Sequence, residues 1–93
     1  MLLIREVFVT KPGMASKFAK MMKETMGEPG VRIMTDVVGD YNTVVMEYEV
    51  ESMADYEKKS AQWGKDMKPE DKAKMADYPN MYQTGRREMY KIW

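Results

Sequence analysis

The chain of 93 residues contains no cysteine and no histidine. Those two absences exclude thiolate nucleophiles, Ser-His-Asp relays, zinc held by thiolate or imidazole, and histidine-ligated haem. Lack of cysteine also excludes a disulfide-stapled secreted scaffold and agrees with a reducing compartment. Neither sign of charge is in excess, because fifteen Lys+Arg balance fifteen Asp+Glu. An electrostatically driven binder of nucleic acid or anionic membrane needs a basic excess or patch, so neither partner is expected. No apolar run approaches the roughly 18–20 residues that span a bilayer. Met1-Leu2-Leu3-Ile4 before Arg5-Glu6 is too short for a signal-peptide core. A soluble, cytoplasmic protein is expected.

What is present in surplus is methionine, at twelve residues. With 44% hydrophobic and 32% charged residues the composition is globular. The length suits one domain over residues 1–93, burying roughly 60–65% of its unfolded surface.

Residues 2–10 are β-branched and aromatic, and they stop at Lys11-Pro12-Gly13, which reads as a strand ended by a turn. From Met14 the apolar period lengthens: Met14, Phe18, Met21, Met22 and Thr25 mark an amphipathic helix, with Gly13 as N-cap and Gly27 as its stop. A second strand is expected over 31–38, followed by the turn Gly39-Asp40-Tyr41-Asn42. Thr43 to Glu51 alternates strictly, with Val44, Met46, Tyr48 and Val50 on one face and Val45, Glu47, Glu49 and Glu51 on the other. Ser52-Met53-Ala54-Asp55 has the form of a capping box. The helix after it places Met53, Tyr56, Ser60, Trp63 and Met67 along one stripe. Pro69-Glu70-Asp71 opens a short second helix, and a last strand is expected from about Gln83 to Trp93.

The order β-α-β-β-α-(α)-β predicts an α+β, ferredoxin-like βαββαβ fold, with a four-stranded antiparallel sheet carrying its helices on one face. The other face then stands uncovered, with Val, Phe, Trp and Ile expected among paired charges. A homodimer in which two such sheets pack face to face into an α/β barrel solves that exposure. Glu47 and Glu49 share a face about 7 Å apart, and pairing with arginines on the last strand is the favoured reading over acid–base work. Arg86 and Arg87 are adjacent and so point to opposite faces.

Several segments resemble NIPSNAP-type domains. These are Lys11-Pro12-Gly13 before an amphipathic helix, and Gly39-Asp40-Tyr41-Asn42-Thr43-Val44-Val45 running into Glu47-Tyr48-Glu49. Glu51-Ser52-Met53-Ala54-Asp55-Tyr56 and Gly85-Arg86-Arg87-Glu88-Met89-Tyr90 complete the set. Antibiotic-biosynthesis-monooxygenase-like domains, of the same dimeric α/β-barrel superfamily, are similar too. The resemblance implies a homodimer with a small-molecule cleft between helices and sheet. In cofactor-independent monooxygenases of that superfamily the cleft is lined by Trp, Tyr, Asn and Arg, and the substrate itself activates oxygen. By that resemblance Trp63, Tyr78, Tyr82 and Arg86 are residues of suitable kind and order. Tyr48, on the core side of its strand, joins Trp63, Tyr82 and Arg86 as a candidate for binding an apolar or aromatic small molecule. Tyr78-Pro79-Asn80-Met81-Tyr82 reads as a lid or a connector. No cofactor or metal is expected. The function readings are a small-molecule-binding barrel, with a cofactor-independent monooxygenase or isomerase as its enzyme forms, and, as the alternative, a non-catalytic NIPSNAP-like binding or assembly module. The methionines read as a soft core that adapts around an apolar ligand.

Overall fold

The computed structural model describes residues Met1–Trp93. Strand β1 runs Leu2–Thr10, helix α1 Ala15–Met26, β2 Arg32–Thr35, β3 Thr43–Val50, α2 Met53–Asp66, α3 Pro69–Met75 and β4 Tyr82–Lys91. A 3-10 turn at Tyr78–Asn80 joins α3 to β4. The sheet order is β2-β3-β1-β4, and every neighbouring pair is antiparallel. Helix α1 carries the chain over β3 to the far edge, and α2 with α3 carries it over β1. This is the ferredoxin-like α+β arrangement that the element order predicts.

Alternation decides which side chains meet the helices. Ile4, Glu6 and Phe8 of β1 stand opposite Tyr48, Met46 and Val44 of β3, and opposite Met89, Arg87 and Gly85 of β4. Ile4, Phe8, Val44, Met46, Tyr48 and Val50 are buried with Phe18, Met21 and Met22 of α1, forming the core. Gly85 leaves room on β4 for the edge of Phe8, because a Cβ there would stand 3.2 Å from its ring. The Phe8 and Tyr82 rings then meet edge to face at 5.2 Å.

Four expectations need correction. Strand β2 ends at Thr35 rather than 38, because Asp36 turns the chain: its Oδ1 accepts from the Thr43 amide at 2.9 Å. Val37 and Val38 consequently lie in the open, each 96% exposed. Met14 rather than Gly13 is the N-cap of α1, and Gly13 takes a left-handed turn at φ 78°. Phe8, expected on the open face, packs instead under α1. Met34 lies on the open face and Met53 is half-exposed, so neither belongs to the core. Ser52 does cap α2, its Oγ accepting from the Asp55 amide, while Asp55 reaches back to the Glu51 amide.

The open face is organised by charge. Arg32, Glu47, Arg5 and Glu88 are register partners in turn across β2, β3, β1 and β4. Arg5 lies 3.4 Å from both Glu47 and Glu88, Arg32 also pairs with Glu47, and Arg86 holds Glu88 at 2.9 Å. The pairing expected between the glutamate stripe and arginines of the last strand is not made: Glu47 pairs with Arg5 and Arg32, and Arg86 pairs with Glu88, two residues along its own strand. Val7 and Glu47 are buried within this layer.

Candidate functional site

A cleft of about 210 Å³ opens between α2, α3, the end of α1 and the helix-facing side of the sheet. Its walls are largely apolar. Phe8 and Met46 rise from the sheet, Met22 and Met26 come from α1, Trp63 from α2, and Met75 and Tyr78 from α3 and the turn after it. The Tyr48 and Trp63 rings meet edge to face at 5.0 Å and 82°. The spacing Tyr56, Ser60, Trp63 on α2 puts all three on one side of the helix, Ser60 and Trp63 against Tyr48 of β3 and Tyr56 under Arg87 of β4. The Thr25 hydroxyl donates to the Met21 carbonyl at 2.9 Å, and its oxygen lies 3.3 Å from the Met75 sulfur, so α3 packs against α1 at the back wall of the cleft.

One ion pair interrupts this apolar lining. Arg87 Nε donates to Glu6 Oε1 at 2.6 Å, and the Arg87 guanidinium lies 5.6 Å above the Tyr56 ring. Burial works to lower the Arg87 pKa, but the hydrogen bond and charge of Glu6 outweigh it and raise it above its ordinary value. The Tyr48 phenol is pushed well above the usual range by burial first, then by Tyr56 and the Glu6 charge, against the pull of Arg87 and Ser60. Tyr48 therefore stays a protonated O–H donor at any physiological pH. Burial, followed by its neighbour Tyr82, also raises Tyr78.

A second hollow adjoins the first across the same pair, lined by Glu6, Phe8, Tyr78, Tyr82, Gly85, Arg86 and Arg87. The site residues expected from sequence divide accordingly. Tyr48 and Trp63 meet in the cleft. Tyr82 lines only the second hollow, held by Phe8, Phe18 and Tyr78. Arg86 borders that hollow, but its guanidinium turns to the open face and bonds Glu88. Arg87 is the arginine of the cleft. Met81 is buried, and its carbonyl accepts from the Lys11 amide at 2.9 Å, so the segment from Tyr78 to Tyr82 is a pinned connector. Glu6 was absent from the expected set, although Ile4-x-Glu6-x-Phe8 places a carboxylate between two core residues.

A larger depression of about 610 Å³ lies at the β2–β3 edge, lined by Arg32, Glu47, Glu49, Lys59 and their neighbours. Its lining is mostly polar, whereas a cleft for a small organic molecule needs apolar walls with a few polar groups. The helix–sheet cleft meets that requirement.

The architecture is shared by solved structures. A NIPSNAP domain protein from Burkholderia xenovorans superposes with a TM-score of 0.79 at 15% identity, covering 100% of this chain and 95% of that one. The chain has the NIPSNAP-like fold. A NIPSNAP family protein from Agrobacterium tumefaciens gives 0.79 at 10% identity, with 97% and 90% covered. A candidate antibiotic biosynthesis monooxygenase from Chloroflexus aurantiacus gives 0.67 at 11%, with 96% and 89% covered. No family model matches the sequence, and no curated protein matches it in a sequence comparison. The NIPSNAP-like fold thus supports the architecture inferred from sequence and leaves the chemistry to the cleft's own residues.

Proposed function

We propose that the protein binds an apolar or aromatic small molecule in the helix–sheet cleft, as the working site of a homodimer. The observation that carries this reading is the lining itself. Trp63, Tyr48, Phe8 and four methionines form deformable, polarizable walls around a single ion pair. Flat aromatic surfaces stack on such walls, and the ion pair and Tyr48 hydroxyl orient any polar group the ligand carries. Fold neighbours described as candidate antibiotic biosynthesis monooxygenases agree with a ligand that reacts in place.

Calorimetric titration with 2-tetralone, a bicyclic aromatic ketone, tests the binding. Saturable binding to the wild type that Trp63→Ala weakens at least about tenfold is expected, equivalent to about 1.4 kcal/mol. Equal affinity in the two proteins, or none in the wild type, would sink the reading.

The dimer rests on the open face. Val7, Val45, Met34 and Leu3 lie there beside the Arg32–Glu47–Arg5–Glu88 row. Val7 is already buried under the charge layer, and a second copy laid on that face would cover the part-exposed Val45, Met34 and Leu3 while leaving the charge row internally paired.

A further inference from the structure

Binding an aromatic molecule does not require a carboxylate in the wall, yet Glu6 is there. It stands on β1 between Ile4 and Phe8, opposite Met46 on one side and Arg87 on the other. The Glu6 side chain is only 17% exposed while Arg87 stays half-exposed, and covering a carboxylate costs hydration that an apolar side chain in the same space would not lose, so its presence calls for a use. Its geometry suggests one. Arg87 engages Oε1 through Nε, while Glu6 Oε2 and the two terminal nitrogens of Arg87 make no hydrogen bond to another group of the chain. A carboxylate oxygen free to accept a proton, the Tyr48 hydroxyl and a guanidinium with donors to spare thus line one cleft. That is a base beside two oxyanion donors.

Resting on the aromatic-ligand reading above, we propose that Glu6 is a catalytic base that enolises a benzylic ketone, one whose carbonyl is joined to an aromatic ring through a CH2 group, seated in the cleft. The C–H bond next to the carbonyl breaks, and its proton passes to Glu6 Oε2. Its electron pair forms the enolate C=C bond, and the carbonyl π pair moves onto oxygen. Tyr48 O–H and an Arg87 terminal N–H donate to that oxygen. The carboxyl proton on Glu6 exchanges with solvent, and delivery of that solvent-derived proton to the same carbon completes an exchange, while return of a proton to a conjugated carbon completes an isomerisation. No oxidant or reductant enters the balance.

Arg87 also acts as a positioning residue, since its bond to Oε1 turns Oε2 toward the ligand. Apolar walls of Trp63, Met46 and Phe8 limit water around the carboxylate, which favours transfer from carbon over simple solvation.

Deuterium uptake by 2-tetralone in heavy water, followed by proton NMR beside calorimetric binding, tests the proposal. The wild type should accelerate exchange saturably above the buffer rate. Glu6→Gln, which keeps an acceptor for Arg87, should bind within about threefold and lose exchange by about a hundredfold. Glu6→Asp, with the carboxylate withdrawn by one methylene, should retain an intermediate rate. Exchange in Glu6→Gln as fast as in wild type would overturn the proposal. So would a wild type that binds the ketone and exchanges it only at the buffer rate, with the aromatic-ligand reading left standing. Failure of the ketone to bind the wild type would instead bring down that reading and the proposal with it. If Glu6→Gln does not fold, Glu6→Asp decides, because unchanged exchange at unchanged affinity would overturn the role of Oε2.

Discussion

At the scale of single residues, neighbours with opposite orientations do different work. Arg87 faces the cleft and holds Glu6, whereas Arg86 faces the open sheet and holds Glu88. Period-two alternation guarantees that the two diverge. Which goes where depends on the register of β4 against β1, and that register shifts between Val9 and Thr10. No spacing in the sequence announces the shift, so the sequence points to Arg86 where the structure places Arg87. Glu6 was hidden differently: one acid in an alternating strand reads as solvent-facing unless its partner across the sheet is known. On the open side, the Arg86 hydrogen bond, with help from Tyr90 and Arg5 and against some burial, holds the Glu88 carboxyl below its ordinary range. A depressed folded-state pKa means that this carboxylate stabilises the fold above the ordinary glutamate range, and the contribution fades as pH falls through the depressed value. A carbon-13 carboxyl titration of wild type and Arg86→Met should show Glu88 moving upward toward the ordinary range in the variant. An unmoved midpoint would mean that Arg86 is not the cause.

At the scale of elements, the regular pieces were legible because burial imposed their periods. The alternation of Thr43–Val50 put Tyr48 on the core side, and the three-to-four spacing on α2 put Trp63 above it. The β2–β3 connection reads as strand up to residue 38 because Val37-Val38 has strand propensity and no signal outvotes it locally. Only the Asp36–Thr43 contacts, which close the loop across seven residues, reveal the turn. The exit of α1 is equally constrained. Gly27 leaves the helix at φ −71°, ψ 125°, and a Cβ there would stand 2.3 Å from the Lys23 carbonyl oxygen. That oxygen belongs to the backbone and is already bonded to the Gly27 amide, so it has little room to yield. Gly27→Ala should cost about 1–3 kcal/mol in denaturant unfolding, in the range of other overpacking changes. A loss below about 0.5 kcal/mol, ordinary for an unconstrained surface site, would show that the exit relaxes freely. Met26, one residue earlier, lines the cleft, so this exit also sets the position of a cleft wall.

For the whole molecule, the sheet separates two chemistries. Its helix side holds the core and an apolar cleft with one ion pair, and its other side holds a charge row spanning four strands. The fold was readable as a whole because the element order admits few topologies. Assembly is the consequence proposed for the open side: sedimentation at micromolar concentration should give twice the 10.9 kDa chain mass, and a stable particle of one chain mass would refute it. The central claim, that the helix–sheet cleft receives an aromatic molecule, is tested most directly by the methionines themselves. With carbon-13 methionine methyls and saturating 2-tetralone, NMR should shift Met22, Met26, Met46 and Met75, which line the cleft. Met34, Met53 and Met89, which lie outside it, should stay in place. Shifts confined to those outer methyls, or no shifts at all, would contradict it.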